Sequence, residues 1–200
     1  MTERVLLLAC GALSHELVAL KRANGWDAVR IQCLPAELHN RPQEIPGAVR
    51  AALEDAIDRF EQVFVAYADC GTGGLLDPVL EEFSVERLPG PHCYAFFAGQ
   101  DAFQALADEE PGTFFLTDFL VRHFDRLVWR GLGMDRHPQL RDELFANYER
   151  VVYLAQTDDP ELDRQARAQA SQLGLDYVRK LTGLDPLNLT FEEHTHAWRH

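Results

Sequence analysis

Two hundred residues, 46% hydrophobic and 26% charged, describe a globular chain long enough to bury a core of its own. A net charge of −13 opposes phosphate backbones and anionic lipid surfaces, so neither nucleic acid nor membrane is an expected partner. No apolar run approaches the roughly 20 residues that span a bilayer, and MTERVLLLAC carries no separate basic segment or cleavage site. A cytoplasmic location is therefore expected, where four cysteines serve as thiols or ligands rather than disulfides.

In chain order, short apolar runs alternate with helical segments. RVLLLAC (4–10) has no polar alternation and predicts a strand buried on both faces. SHELVALKRANG follows as a helix, with Ser14 as N-cap and Gly25 as stop. AVRIQC (28–33) predicts the second strand and IPGAVRAALEDAIDRF (45–60) the second helix, Pro46 being tolerated in its first turn. QVFVAYADC (62–70) predicts the third strand, LLDPVLEEF (75–83) a helix and VERL (85–88) a fourth strand, leading through PGPHC into YAFFAGQDAFQALADEE. The pattern restarts after Gly112. TFFLT (113–117) predicts a strand, DFLVRHFDRLVWRG a helix with Asp118 near its cap, and HPQLRDELFANY another helix. RVVYLAQT (150–157) predicts a strand, PELDRQARAQASQLG a helix and DYVRKL the last strand. This alternation predicts an α/β fold, a mostly parallel sheet with helices on both faces. Residues 1–190 are expected to form a single domain, its halves 1–110 and 111–190 loosely resembling a degenerate repeat. Residues 191–200 read as a tail, whose histidines at 194, 196 and 200 are taken as incidental.

On this reading Cys10, Cys33 and Cys70 each end a strand, and Cys93 follows the fourth. Parallel strands end along one edge, where open α/β sheets bind ligands. Clustering there favours a shared thiolate site, against independent buried thiols or a lone catalytic cysteine. Thiolates select zinc or an iron–sulfur cluster. His39, in CLPAELHNRP beyond the second strand, joins the candidates, and His92 is adjacent to Cys93. DCGTGG could cradle an anion on the backbone of Gly71, Thr72 and Gly73, with charge from Arg41 or Arg87, although it lacks the lysine of a P-loop.

CGALSHEL, CLPAELHNRP, YADCGTGG, GPHCYAFFAG, GTFFLTDFLVRHFDRLV and RVVYLAQTDDP together resemble the uncharacterised family called domain of unknown function 1638. The resemblance runs over nearly the whole chain. It implies that Cys10, Cys70, Cys93 and His39 belong to the family motifs, and that Cys33 is replaced in more distant members. Gene neighbourhood in the family implies a role near corrinoid-dependent methyl transfer. The preferred metal set is therefore Cys10, Cys70, Cys93 and His39, with Cys33, Asp69 and His92 in supporting positions. Three functions follow as expectations. One is a zinc or iron–sulfur protein acting on or near a small-molecule substrate in one-carbon metabolism. Another is a non-catalytic accessory protein that binds a corrinoid protein. The third is a metal-free cysteine enzyme, with Cys70 or Cys93 as nucleophile and His92 or His39 as base.

Overall fold

Val5–Cys10 form strand β1, and all six residues are buried. An apolar run with no polar face to offer solvent takes the middle of a sheet. The computed structural model describes residues 3–192 together with 194, 195 and 198. The chain divides into two compact units, Met1–Cys93 with Asn188–His200, and Tyr94–Leu187. Each carries its own parallel sheet.

In the first unit β1 lies between β2 (Val29–Leu34) and β3 (Gln62–Ala66), and β4 (Glu86–Arg87) completes the order β2-β1-β3-β4. Helices α1 (Ser14–Asn24), α2 (Ile45–Ala56) and α3 (Asp77–Phe83) connect the strands. Gly25 stops α1 as expected, at φ 63° with its N–H on the Lys21 carbonyl. Ser14 does not cap that helix. A short 3₁₀ turn, Gly11–Leu13, carries the chain out of β1, so Leu13 occupies the cap and Ser14 lies inside. The third strand is also shorter than the sequence predicts. It ends at Ala66 because the N–H groups of Asp69 and Cys70 leave the sheet and bond to the carbonyls of Gly90 and Pro91, at 3.1 and 3.0 Å.

Helix α9 (Asp185–Glu192) carries Phe191, and this residue and Trp198 are fully buried in the first unit. The Trp198 ring lies 5.3 Å from Trp26 and 5.6 Å from Phe64, and Phe191 lies 5.8 Å from Trp26. His194 is engaged as well, its ring 4.9 Å from Phe64 and its Nδ1 3.7 Å from Glu86. The segment set apart in the sequence as a tail thus supplies core. His196 and His200 lie outside the described residues.

The second unit is built on β5 (Thr113–Thr117), β6 (Arg150–Ala155) and β7 (Asp176–Leu181), parallel and in that order. Helices α4 (Tyr94–Ala98) and α5 (Gln100–Glu109) belong here, because Tyr94 and Phe103 stack on Phe115 at 5.4 and 5.1 Å. α8 (Pro160–Leu173) is capped by the Asp159 carboxylate and closed by Gly174 at φ 78°. The long helix expected from 118 splits into α6 (Asp118–Arg122) and a π-helical turn, Asp125–Trp129. Asp118 lies next to the cap of α6 as expected, and Thr117 is the capping residue, accepting from the Leu120 N–H at 3.3 Å. α7 covers only Leu140–Leu144.

Asp118 has a different task. Its buried carboxylate accepts from the Tyr153 hydroxyl at 2.6 Å, the Thr157 hydroxyl at 2.5 Å, and the N–H groups of Gln156 and Thr157 at 3.0 and 3.1 Å. Those bonds join the ends of β5 and β6. The expected α/β class is present, as two parallel sheets of four and three strands. Among the described residues no helix is long and apolar enough to cross a membrane.

Candidate functional site

Two of the four cysteines meet. Cys70 and Cys93 place their sulfurs 2.8 Å apart, in the loops that follow β3 and β4. The backbone makes this happen: the bonds from Asp69 and Cys70 to Gly90 and Pro91 hold the two loops side by side. Cys70 then turns at φ 50°, a left-handed conformation that costs a residue with a Cβ roughly 1–2 kcal/mol. Such strain persists only where surrounding contacts impose it.

Their acidities are driven in opposite directions. The hydrogen bond with Cys93, in which either sulfur can donate, pulls the Cys70 pKa down; burial opposes this, and backbone N–H groups add to the lowering. Cys93 is pushed well above the ordinary thiol range, by its hydrogen bond with Cys70 first and then by burial. Within the pair, Cys70 is the more readily ionised thiol and Cys93 the less. Cys10 ends β1 and is buried, which raises it to about 11 despite an N–H donated by Ala12. At Cys10 desolvation therefore outweighs the backbone N–H.

Within electrostatic reach of Cys10, Cys70 and Cys93 stands Tyr67, a residue the sequence did not single out. It is 1% exposed, and its hydroxyl has no hydrogen-bond partner among the described residues. Burial first, then Cys10, Cys93 and Cys70, push its pKa up. It lies beside Cys10, close enough for a long hydrogen bond with that thiol to shift both acidities, although short of strict hydrogen-bond geometry. A buried hydroxyl left unpaired costs about 1–3 kcal/mol, which a polar ligand among the sulfurs would recover. A tyrosine three residues before a cysteine in YADC was the available signal, hidden because 67–70 reads as strand.

The remaining candidates separate. His39 faces His92 edge to face, ring centroids 5.5 Å apart. Burial lowers both pKa values, that of His92 to about 4, so both rings are neutral at pH 7. Cys33 is exposed and pairs in register with Ala9, not Cys10, so its side chain leaves the sheet on the opposite face from Cys10. Arg41 pairs with Glu44 at 3.6 Å, and Arg87 grips Asp77 at 2.6 and 3.2 Å. The glycine loop already holds an anion, which is its own. Asp69 accepts from the Thr72 hydroxyl at 2.6 Å and from the N–H groups of Gly73 and Gly74 at 3.2 and 2.7 Å. Gly71, at φ 82°, rests against Pro42, so this loop also packs on the one carrying His39.

Iodoacetamide is expected to reach Cys70 first at pH 7, because a lowered pKa leaves more thiolate at that pH. Cys93→Ala removes the hydrogen bond to Cys70, so the midpoint of Cys70 alkylation should move to higher pH. Peptide mass spectrometry after timed pulses reads both; an unmoved midpoint would mean that Cys93 does not support the thiolate.

The donor chemistry fits a soft metal ion: three thiols lie within electrostatic reach of one buried hydroxyl, with two neutral imidazoles in the adjoining loops. Among the described residues no group of three or more His, Cys, Asp and Glu side chains is already arranged to hold one. The preformed part is the pair Cys70–Cys93. No curated protein and no solved structure matches the chain. The span that contains Cys33, His39, Cys70 and Cys93 does find a counterpart, whereas Cys10 lies ahead of it. Residues 33–190 match the family described as protein of unknown function (DUF1638), and the chain belongs to that family.

Proposed function

We propose that the chain is a metal-binding α/β protein whose thiolates Cys70, Cys93 and Cys10 hold a zinc ion next to a small-molecule substrate. The contact of Cys70 with Cys93 carries this reading. Two thiolates on one tetrahedral zinc, with bonds of about 2.3 Å, stand about 3.7 Å apart. A pair at 2.8 Å needs to open by less than 1 Å. Cysteines on separate irons of a four-iron cluster stand farther apart, so a single ion suits this pair better. Cys10 is the third donor, and His39 is the fourth candidate on the loop that packs against Gly71. When bound, zinc supplies Lewis acidity and holds a thiol or water as a nucleophile. Tyr67 orients what sits among the sulfurs, since its hydroxyl is buried beside Cys10. His39 and His92, both neutral, accept a proton at the rim. Small thiols and methylated compounds suit such a site, in keeping with the corrinoid-linked methyl transfer that the family resemblance implies.

A second reading also rests on the contact of Cys70 with Cys93. The opposed acidities of Cys70 and Cys93 suit a nucleophilic thiolate with a neighbouring thiol, acting without metal. Anaerobic purification followed by elemental analysis separates the two. One zinc per chain supports the metal site. Iron with sulfide would replace zinc by a cluster, and neither metal together with one hyper-reactive thiol would leave the cysteine enzyme.

A further inference from the structure

The second unit contains a cavity of about 560 Å³ at the carboxyl ends of β6 and β7. That edge of a parallel sheet is where α/β folds bind ligands, and the volume falls in the range of small-molecule sites. Its origin is legible in the side chains. Leu154 and Lys180 are register partners, so they project from the same face. Over this face α5 covers β5 and β6: Phe103 stacks on Phe115, and Arg150 reaches the Leu106 carbonyl and Glu109. Ala98, Ala102 and Ala105 then line the cavity where larger side chains would fill it. β7, an edge strand, leaves Leu181 56% exposed at the opening.

The polar groups in the lining define the ligand. Glu109 is neutralised by Arg150 at 3.0 Å, and the Thr182 hydroxyl is engaged by the carbonyls of Ala155 and Gly183 at 3.2 Å each. The Lys180 ammonium has no acidic or hydrogen-bonding partner among the described residues. Lys180 is an exposed, unpaired cation at the rim of a mainly apolar lining, and on a chain of net charge −13 it attracts an anion that the rest of the surface repels. A dianion such as a phosphate monoester would bring a second charge towards Glu109 with no further donor to meet it. We infer that this cavity binds a small monocarboxylate with an apolar body, its carboxylate on Lys180 and its chain along the alanines.

This inference is independent of the thiolate site, which lies in the first unit. Isothermal titration of the full chain with octanoate tests it, with octanol as the uncharged control. One saturable site is expected for octanoate, and octanol should bind at least several-fold more weakly. Lys180→Gln should weaken octanoate about tenfold and bring it level with octanol. Ala102→Trp fills the cavity from an exposed helix position and should abolish binding, and Ala105→Trp should repeat that result if the first variant folds poorly by circular dichroism. No saturable binding to the natural chain would overturn the inference, and so would binding that survives both tryptophans. Equal affinity for octanoate and octanol, unchanged by Lys180→Gln, would overturn the assignment of a carboxylate.

Discussion

Serine at Cys70 or at Cys93 is expected to weaken zinc binding more than 100-fold, whereas Cys33→Ser should leave it within about threefold. Structural zinc sites bind with roughly 10–16 kcal/mol of apparent free energy, so one of four ligands accounts for about 3 kcal/mol. A serine hydroxyl keeps the shape but is not a thiolate. Cys70 and Cys93 are in contact, and loss of either leaves the other without its partner. Cys33, exposed and on the other face of the sheet from Cys10, has no such role. Cys10 adds a pH signature. Its thiol, held at about 11 by burial, must release a proton when metal binds. Affinity should therefore rise with pH by about tenfold per unit for that proton alone, and Cys10→Ser should reduce the slope. Competition with a chromophoric chelator between pH 6 and 9 measures both effects.

The second large effect is on stability. Trp198→Ala is expected to destabilise the first unit by roughly 3–5 kcal/mol, the range for removing a large aromatic from a core. Trp198 is fully buried against Trp26, Phe64 and Phe191. Phe64 lies in β3, two residues from its end, and the loop after that strand carries Tyr67 and Cys70. Urea denaturation followed by tryptophan fluorescence should show the midpoint fall. A loss below about 1 kcal/mol would place Trp198 outside the core.

Where hydrophobic pattern alone decides structure, the sequence was legible. VLLLAC offers no polar face and becomes a central strand, Gly25 ends α1, and DYVRKL becomes β7 at the residues its pattern marks. The site was legible in part. Strand direction placed Cys10 correctly at the end of β1, but Cys70 reaches Cys93 through two loop–loop backbone bonds that no local pattern encodes. Reading 62–70 as one strand concealed that turn and, with it, Tyr67. Cys33 stays near enough to Cys10 to raise its pKa, but parallel pairing sets it beside Ala9, one residue out of phase, on the other face of the sheet. The glycine loop was recognised as an anion cradle, while Asp69, two residues ahead of it, was not recognised as the anion. The packing of Trp198 on Phe64 depends on a separation of 134 residues, beyond the reach of any sequence window.

The central claim is that Cys70, Cys93 and Cys10 act together as thiolate ligands, and the cobalt(II)-substituted protein tests it most directly. Sulfur-to-cobalt charge transfer in the near ultraviolet grows with the number of coordinated thiolates, and visible ligand-field bands report the coordination geometry. The natural chain should show three thiolates in tetrahedral geometry, each of Cys10→Ser, Cys70→Ser and Cys93→Ser should lose about a third of the charge-transfer intensity or the metal altogether, and Cys33→Ser should match the natural chain. A spectrum without charge transfer, or one unchanged by serine at Cys70 and Cys93, would contradict the account.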